Sequence, residues 1–164
     1  MKALFIGGVK SGKSRHAESY TVALGGAKPV YLATSEPFDE GMRLRIETHR
    51  AARAEQFTTL EEPLELAKAL EACDGAVLIE CLTLWMNNML HYGRGEAAIL
   101  AEVELLLALE RDLVFVLNDV GSGIIPDNPL ARQFVDLSGR VAQRLGAECD
   151  AVYHCIAGIA TKIK

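Results

Sequence analysis

The sequence predicts an α/β fold, with a mostly parallel sheet flanked by helices and an antiparallel hairpin expected at its C-terminal end. Three observations indicate this class. Short apolar runs alternate with helical segments, a glycine-rich turn follows the first run, and the composition is that of a globular domain, 50% hydrophobic and 24% charged. The 164 residues suit one domain covering residues 1–164, with a core of its own.

The first elements form a strand, a helix and a strand. Residues 2–6, KALFI, are mostly apolar and are followed by glycine, which suits a buried strand, and a helix is predicted from residue 13 to about residue 24. Residues 30–34, VYLAT, are β-branched and aromatic and predict a second strand. This order and spacing are typical of a right-handed parallel βαβ unit.

Two helices and a third strand are predicted next. The charged segment 39–53 is expected to be helical, with Met42, Ile46 and His49 on one face. Residues 61–73 begin with acids and a proline, which favours a helix start, and end at Asp-Gly. Residues 76–80, AVLIE, then predict a third strand.

The remaining elements continue the alternation. Helices are predicted over residues 82–92, 96–110 and 130–146, and strands over residues 113–117 and 151–157. Residues 118–129, NDVGSGIIPDNP, predict a long loop, and the tail GIATKIK is expected to add a short antiparallel strand. Strands separated by helices imply a parallel sheet that is covered on both faces.

The charge and the hydropathy exclude some classes of function. A net charge of −5 argues against general nucleic-acid binding, which needs a positive surface. No stretch approaches the ~20 apolar residues of a membrane span, and no signal peptide is evident, so a cytoplasmic location is expected. The four cysteines form no CxxC pair, which favours reduced, largely buried thiols over a zinc site.

The strongest motif is GGVKSGKS, a phosphate-binding P-loop between a predicted strand and a predicted helix. Glycines let backbone N–H groups turn toward phosphate oxygens, and the helix N-terminus adds positive potential. We expect Lys13 to reach the β- and γ-phosphates and Ser14 to ligate Mg²⁺ through its hydroxyl. The predicted fold is therefore P-loop NTPase-like, with a nucleoside triphosphate held by Gly7, Gly8, Val9, Lys10, Ser11, Gly12, Lys13 and Ser14.

Several polar residues follow predicted strands, at the edge where ligands bind in doubly wound sheets. Glu80 ends the strand AVLIE and is a candidate Mg²⁺ ligand, with helix capping as the alternative. Asp119, after the strand LVFVL, is a second candidate ligand, although Asn-Asp before glycine is also common turn chemistry. Thr34 and Ser35 could contact a nucleotide or cap the next helix. His16 lies one turn after the P-loop, and the sequence gives it no role.

The segment RIETHRAAR places His49 among Arg45, Arg50 and Arg53. Neighbouring positive charges favour the neutral imidazole, which is a competent nucleophile toward phosphorus. The arginines could hold a triphosphate under attack. The alternative interpretation is a surface helix with a solvated histidine.

Six blocks in order resemble one family: GGVKSGKSRHAE, YLATSE, RIETHRAAR, LIECLTLW, NDVGSGIIPDNPLARQFVDLSGRVAQRL and KIK. They are similar to the bifunctional adenosylcobinamide kinase / adenosylcobinamide-phosphate guanylyltransferase of cobalamin biosynthesis. The P-loop is shared by many NTPases, whereas the HRxxR and VGxGIxPxNxLAR blocks are more specific. Asp119, Ala142 and Ala54 stand where this family usually has Glu, Asn and Pro.

The resemblance implies two reactions. Adenosylcobinamide would be phosphorylated by ATP or GTP, and GMP from GTP would pass through a histidine, matching His49, to adenosylcobinamide phosphate. It also implies Mg²⁺ and a homotrimer with the active site near a subunit boundary. Nucleotide contacts carry over to Thr34, Ser35, Arg50, Ala51, Ala52, Arg53, Glu61 and Glu80, in addition to residues 7–14. The competing hypotheses are another P-loop small-molecule kinase without guanylyltransferase activity and a non-catalytic nucleotide-binding switch.

Overall fold

The computed structural model describes residues 1–35 and 54–164. The strands in these ranges are β1 (Lys2–Gly7), β2 (Val30–Ala33), β3 (Thr58–Glu61), β4 (Val77–Glu80), β5 (Leu113–Asn118), β6 (Ala151–Ile156) and β7 (Ile159–Lys162). The helices are α1 (Lys13–Ala23), α2 (Leu66–Leu70), α3 (Leu82–His91), α4 (Glu96–Ala108) and α5 (Pro129–Glu148).

The strands form one sheet in the order β3-β2-β4-β5-β1-β6-β7. Every neighbouring pair is parallel except β6 and β7, which form an antiparallel hairpin. The predicted α/β class and the C-terminal hairpin are therefore confirmed. β1 and β2 belong to the same sheet, as predicted, but β4 and β5 lie between them.

The five inner strands, β1, β2, β4, β5 and β6, send alternate side chains to two separate cores, as the two-residue period of a strand requires. In β5, Leu113, Phe115 and Leu117 join the core beneath α2, α3, α4 and α5. Val114 and Val116 face the other core, which includes Ala17 of α1. Because both faces of these inner strands are buried, their sequences are mostly apolar, and this made them visible in the sequence.

Two predictions near residue 60 differ from the structure. β3 was not predicted, and it is an edge strand whose burial is only partial along its length. The helix predicted over residues 61–73 is confined to Leu66–Leu70. Its start is delayed because the Glu62 carboxylate accepts hydrogen bonds from the N–H groups of Leu64 and Glu65, at 2.8 and 2.9 Å.

The start of α5 shows why the long loop ends where it does. Asn128 caps the helix, since its Oδ1 accepts from the N–H groups of Leu130 and Ala131, and Pro129 occupies the first turn. The four cysteines are free thiols, three of them buried. No helix in the described part of the chain combines the length and the apolar character that crossing a membrane requires.

Candidate nucleotide-binding site

The P-loop motif occupies the turn between β1 and α1, as predicted. Lys10 and Gly12 have positive φ values of 56° and 92°, and the N–H of Ser11 donates to the carbonyl of Gly8 at 3.2 Å. Gly12 has a second constraint, because a Cβ there would lie 3.0 Å from the Cα of Gly158. A residue without a side chain is therefore needed at the helix start for both conformation and space.

Lys13 and Ser14 extend the site from the first turn of α1. Lys13 is buried, and its Nζ donates to the carbonyl of Gly8 at 3.1 Å, which keeps the ammonium over the loop. The Ser14 hydroxyl donates to Glu80 Oε1 at 2.8 Å. The structure thus brings together two residues, 66 positions apart, that the sequence singled out as candidate metal ligands.

The chemistry of this pair fits Mg²⁺. A hydroxyl oxygen and a carboxylate oxygen are hard ligands, and Mg²⁺ in nucleotide sites is commonly held by one or two such groups together with phosphates and water. Across residues 1–35 and 54–164, no group of three or more His, Cys, Asp or Glu side chains could hold a metal ion. A hydroxyl and a carboxylate are only part of an octahedral ligand set, and in nucleotide sites phosphates and water supply the remaining ligands.

The strand register aligns the other candidate residues at the same edge of the sheet. Ala33 of β2 is paired with Glu61 on one side and with Glu80 on the other. Thr34 and Ser35 come directly after Ala33, and Ser35 is partly exposed. Glu61, Ser35 and Glu80 therefore lie on three adjacent strand ends, which is the arrangement expected for a ligand-binding edge.

Thr34 is placed differently from its neighbours because its side chain is completely buried. Its N–H donates to the carbonyl of Glu80 at 3.0 Å, and its hydroxyl accepts from the N–H of Cys81 at 3.1 Å. The observed contacts of its side chain are with the backbone of Glu80, the last residue of β4, and of Cys81, which follows it.

Asp119 follows β5, as predicted, and its backbone N–H donates to the carbonyl of Gly7 at 3.0 Å. Its carboxylate accepts hydrogen bonds from the N–H of Gly121 and the hydroxyl of Ser122. These are the contacts of a turn-stabilising aspartate. Of the two interpretations left open for Asp119, the observed hydrogen bonds favour turn chemistry.

The sequence did not anticipate the contact between the P-loop and the β6–β7 turn. The N–H of Gly158 donates to the carbonyl of Ser11 at 2.9 Å, and the Gly158 carbonyl accepts from Arg15 at 3.2 Å. His16 Nε2 lies 2.7 Å from the same carbonyl and must carry the proton, since a carbonyl only accepts. His16 thus has a structural partner, and the only local sign of this contact was a glycine between two strand-like runs.

Two buried thiols border the site. Burial raises the pKa of Cys81, and the neighbouring Glu80 carboxylate adds to the shift. Burial also raises the pKa of Cys155, partly offset by the charge of Lys13. Both thiols therefore stay protonated near neutral pH, which argues against a thiolate nucleophile at this edge.

The remaining predicted site residues, His49, Arg50, Ala51, Ala52 and Arg53, lie outside the described residues. The whole of the helix predicted over residues 39–53 lies outside them as well. Their roles stay predictions from the sequence.

Comparison with known proteins gives one consistent result. A family model described as cobinamide kinase / cobinamide phosphate guanyltransferase matches residues 3–163. The chain is 40% identical to the bifunctional adenosylcobalamin biosynthesis protein CobU of Salmonella typhimurium strain LT2 and 39% identical to that of Escherichia coli K12, with complete coverage of both chains. It is 38% identical to the bifunctional adenosylcobalamin biosynthesis protein CobP of Pseudomonas aeruginosa PAO1, covering 100% of this chain and 98% of the relative.

Proposed function

We infer the function from the family: this chain belongs to the cobinamide kinase / cobinamide phosphate guanyltransferase family, and it is a transferase. The proposed activity is phosphorylation of adenosylcobinamide by ATP or GTP, followed by transfer of GMP from GTP to adenosylcobinamide phosphate. The product would be adenosyl-GDP-cobinamide. The structural observation that supports this proposal is the 2.8 Å hydrogen bond from Ser14 to Glu80, close to the buried Lys13 at the start of the same helix.

In the proposed site the P-loop residues 7–14 hold the triphosphate. Lys13 would exchange its contact with the Gly8 carbonyl for the β- and γ-phosphates, which carry much more negative charge. Ser14 and Glu80 would hold Mg²⁺, whose chemistry is to neutralise charge that develops on the phosphate oxygens. Ser35 and Glu61 would contact the nucleotide from the neighbouring strand ends, with Thr34 behind them.

The kinase step needs no covalent intermediate. The hydroxyl oxygen of adenosylcobinamide attacks the γ-phosphorus, the bond from that phosphorus to the β-phosphate oxygen breaks, and a nucleoside diphosphate leaves. The proton of the hydroxyl group is released to solvent. Lys13 and the loop N–H groups stabilise the charge on the transferred phosphoryl group.

The guanylyltransferase step is proposed to use His49. A ring nitrogen attacks the α-phosphorus of GTP. The bond from this phosphorus to the oxygen of the β-phosphate breaks, and pyrophosphate leaves. A phosphate oxygen of adenosylcobinamide phosphate then attacks the same phosphorus, and the phosphorus–nitrogen bond breaks. Arg50 and Arg53 would stabilise the transferring group, with Ala51 and Ala52 lying against the nucleotide.

The other predictions extend this proposal. We propose that residues 1–164 form a single catalytic domain, that the protein acts in the cytoplasm, and that it assembles as a homotrimer. Its partners would be the corrinoid substrates and the nucleotides. A mildly acidic chain is not expected to bind nucleic acid.

The experiment is a product assay with adenosylcobinamide, GTP and Mg²⁺ that resolves the phosphorylated product from the GDP-linked one. Labelled GTP should also leave GMP on the protein in an acid-labile, base-stable linkage. His49→Asn should abolish this label, whereas His91→Asn, which changes an exposed histidine at the end of α3, should keep it.

The alternative of a P-loop kinase without guanylyltransferase activity predicts phosphorylated product and no protein-bound GMP. Equal labelling of His49→Asn and the unchanged protein would refute His49 as the nucleophile. GTP hydrolysis without either corrinoid product would instead favour a nucleotide-binding switch.

A further inference from the structure

Two buried polar side chains lie directly behind the Ser14–Glu80 pair. Thr34 is 0% exposed and Asn88 is 2% exposed, so neither reaches the surface of the described chain. Burying a polar side chain is unfavourable unless hydrogen bonds replace its contacts with water. Thr34 satisfies this condition through backbone groups of Glu80 and Cys81, and Asn88 through the carbonyls of Thr34 and Pro63. These contacts connect both residues to the strand end that carries Glu80, which suggests a role in the site.

Thr34 forms hydrogen bonds with both groups of the peptide bond between Glu80 and Cys81. Its N–H donates to the Glu80 carbonyl at 3.0 Å, and its Oγ1 accepts from the Cys81 N–H at 3.1 Å. Oγ1 also lies 3.0 Å from the Cys81 carbonyl and 3.2 Å from the Glu80 carbonyl. A hydroxyl has a single proton, so it donates to one of these carbonyls at a time. The hydroxyl is therefore fully engaged with the backbone.

Asn88 connects this group of contacts to the rest of the fold. Its Nδ2 donates to the Thr34 carbonyl at 2.7 Å and to the Pro63 carbonyl at 3.3 Å. An amide carries two N–H groups, so it can serve both acceptors together. Asn88 thereby fixes the end of β2 and the segment after β3 to α3, the helix that begins just beyond Glu80.

We propose that Thr34 and Asn88 are positioning residues that hold Glu80 where its carboxylate meets Ser14, and so determine how tightly the nucleotide site takes up Mg²⁺. This inference rests on the proposed role of Ser14 and Glu80 as metal ligands. Thr34 acts through Glu80, because its buried hydroxyl is already bonded to backbone. Partners that orient a metal ligand typically change metal affinity about 10- to 100-fold when removed.

The variants separate positioning from general packing. Thr34→Val removes the hydroxyl with little change of shape, and Thr34→Ser restores it. Asn88→Leu removes the amide donors and keeps a side chain of similar size. Thr21→Val is the matched control, since Thr21 is 1% exposed and its hydroxyl donates to the Ala17 carbonyl at 2.7 Å, within α1. Glu80→Gln reports on the metal role itself.

The measurement is the binding of a fluorescent GTP analogue without Mg²⁺ and over a Mg²⁺ titration, with thermal unfolding to confirm that each variant is folded. Thr34→Val and Asn88→Leu should raise the Mg²⁺ concentration for half-maximal effect about 10-fold, with Mg²⁺-free affinity unchanged. Thr34→Ser and Thr21→Val should resemble the unchanged protein.

The outcomes distinguish the metal role of Glu80 from the positioning role of Thr34 and Asn88. If Glu80→Gln shifts the Mg²⁺ titration but Thr34→Val and Asn88→Leu do not, the positioning role is wrong and the metal role stands. If Glu80→Gln leaves the titration unchanged, the metal role is wrong and the positioning role falls with it. Should one variant fail to fold, the variant at the other position decides, since each removes a separate hydrogen bond.

Discussion

Substitution of Gly7, the last residue of β1, tests whether the start of the P-loop tolerates a side chain. Gly7 is paired with Cys155 of β6 in the parallel register. A Cβ at this position would lie 2.3 Å from the Cys155 carbonyl oxygen and 2.7 Å from Ser11 Oγ. The serine side chain can rotate away, but the carbonyl belongs to a paired strand. Gly7→Ala must therefore move β1 and β6 apart locally.

Restoring an ordinary carbon–oxygen contact requires a displacement of about 1 Å between the two strands. Overpacking of this kind costs about 1–3 kcal/mol, and the upper end applies because the obstacle is backbone. We expect Gly7→Ala to lower the free energy of unfolding by about 3 kcal/mol, measured by urea denaturation. It should also weaken nucleotide binding, since the displaced residues carry the loop.

The adjacent glycine provides the control. A Cβ at Gly8 would meet nothing within 4 Å, so Gly8→Ala should change the free energy of unfolding by no more than about 0.5 kcal/mol. If the two variants are equally stable, or if Gly7→Ala unfolds at the same urea concentration as the unchanged protein, the steric explanation for Gly7 is refuted.

Two further predictions concern stability away from the P-loop. Asn128→Ala removes the cap of α5 and should lower the free energy of unfolding by about 1 kcal/mol. Asn128→Ser keeps a capping oxygen and should retain most of this stability. Equal losses of stability in chemical denaturation would contradict the capping role. Burial raises the pKa of Cys149 from 9.0 to about 12, so above pH 9 the unfolded chain loses this proton while the folded chain keeps it. The free energy of unfolding should therefore fall with rising pH, with Cys149 contributing about 1 kcal/mol between pH 9 and pH 10, and Cys149→Ala should remove that contribution.

Much of the site was predictable because its residues occupy ends of strongly apolar strands. The P-loop follows β1, and Glu80 ends β4, so the parallel sheet brings Ser14 and Glu80 together once the strand order is formed. The P-loop motif predicted the position of Ser14, and the place of the acid at the end of an apolar strand predicted the position of Glu80. No local signal gave the 2.8 Å contact itself, because it depends on the order of strands within the sheet.

The errors occurred where local pattern and tertiary context disagree. β3, Thr58–Glu61, is polar and half-exposed, and its strand structure comes from pairing with β2. The acids before Leu66 resembled a helix N-terminus, but Glu62 uses its carboxylate to close a preceding turn. The role of Asn88 was also invisible, because its partners are backbone carbonyls 54 and 25 residues away.

The contact between Gly158 and the P-loop determines when, during synthesis of the chain, the P-loop can reach its native structure. His16 and the carbonyl it binds are separated by 142 residues, and Ser11 depends on the same turn. During synthesis from the N-terminus, the P-loop leaves the ribosome long before the β6–β7 turn that forms hydrogen bonds with it. A nascent chain that carries only the first strands would contain the full P-loop sequence without this support, so native nucleotide binding should begin only after β6 and β7 have been made.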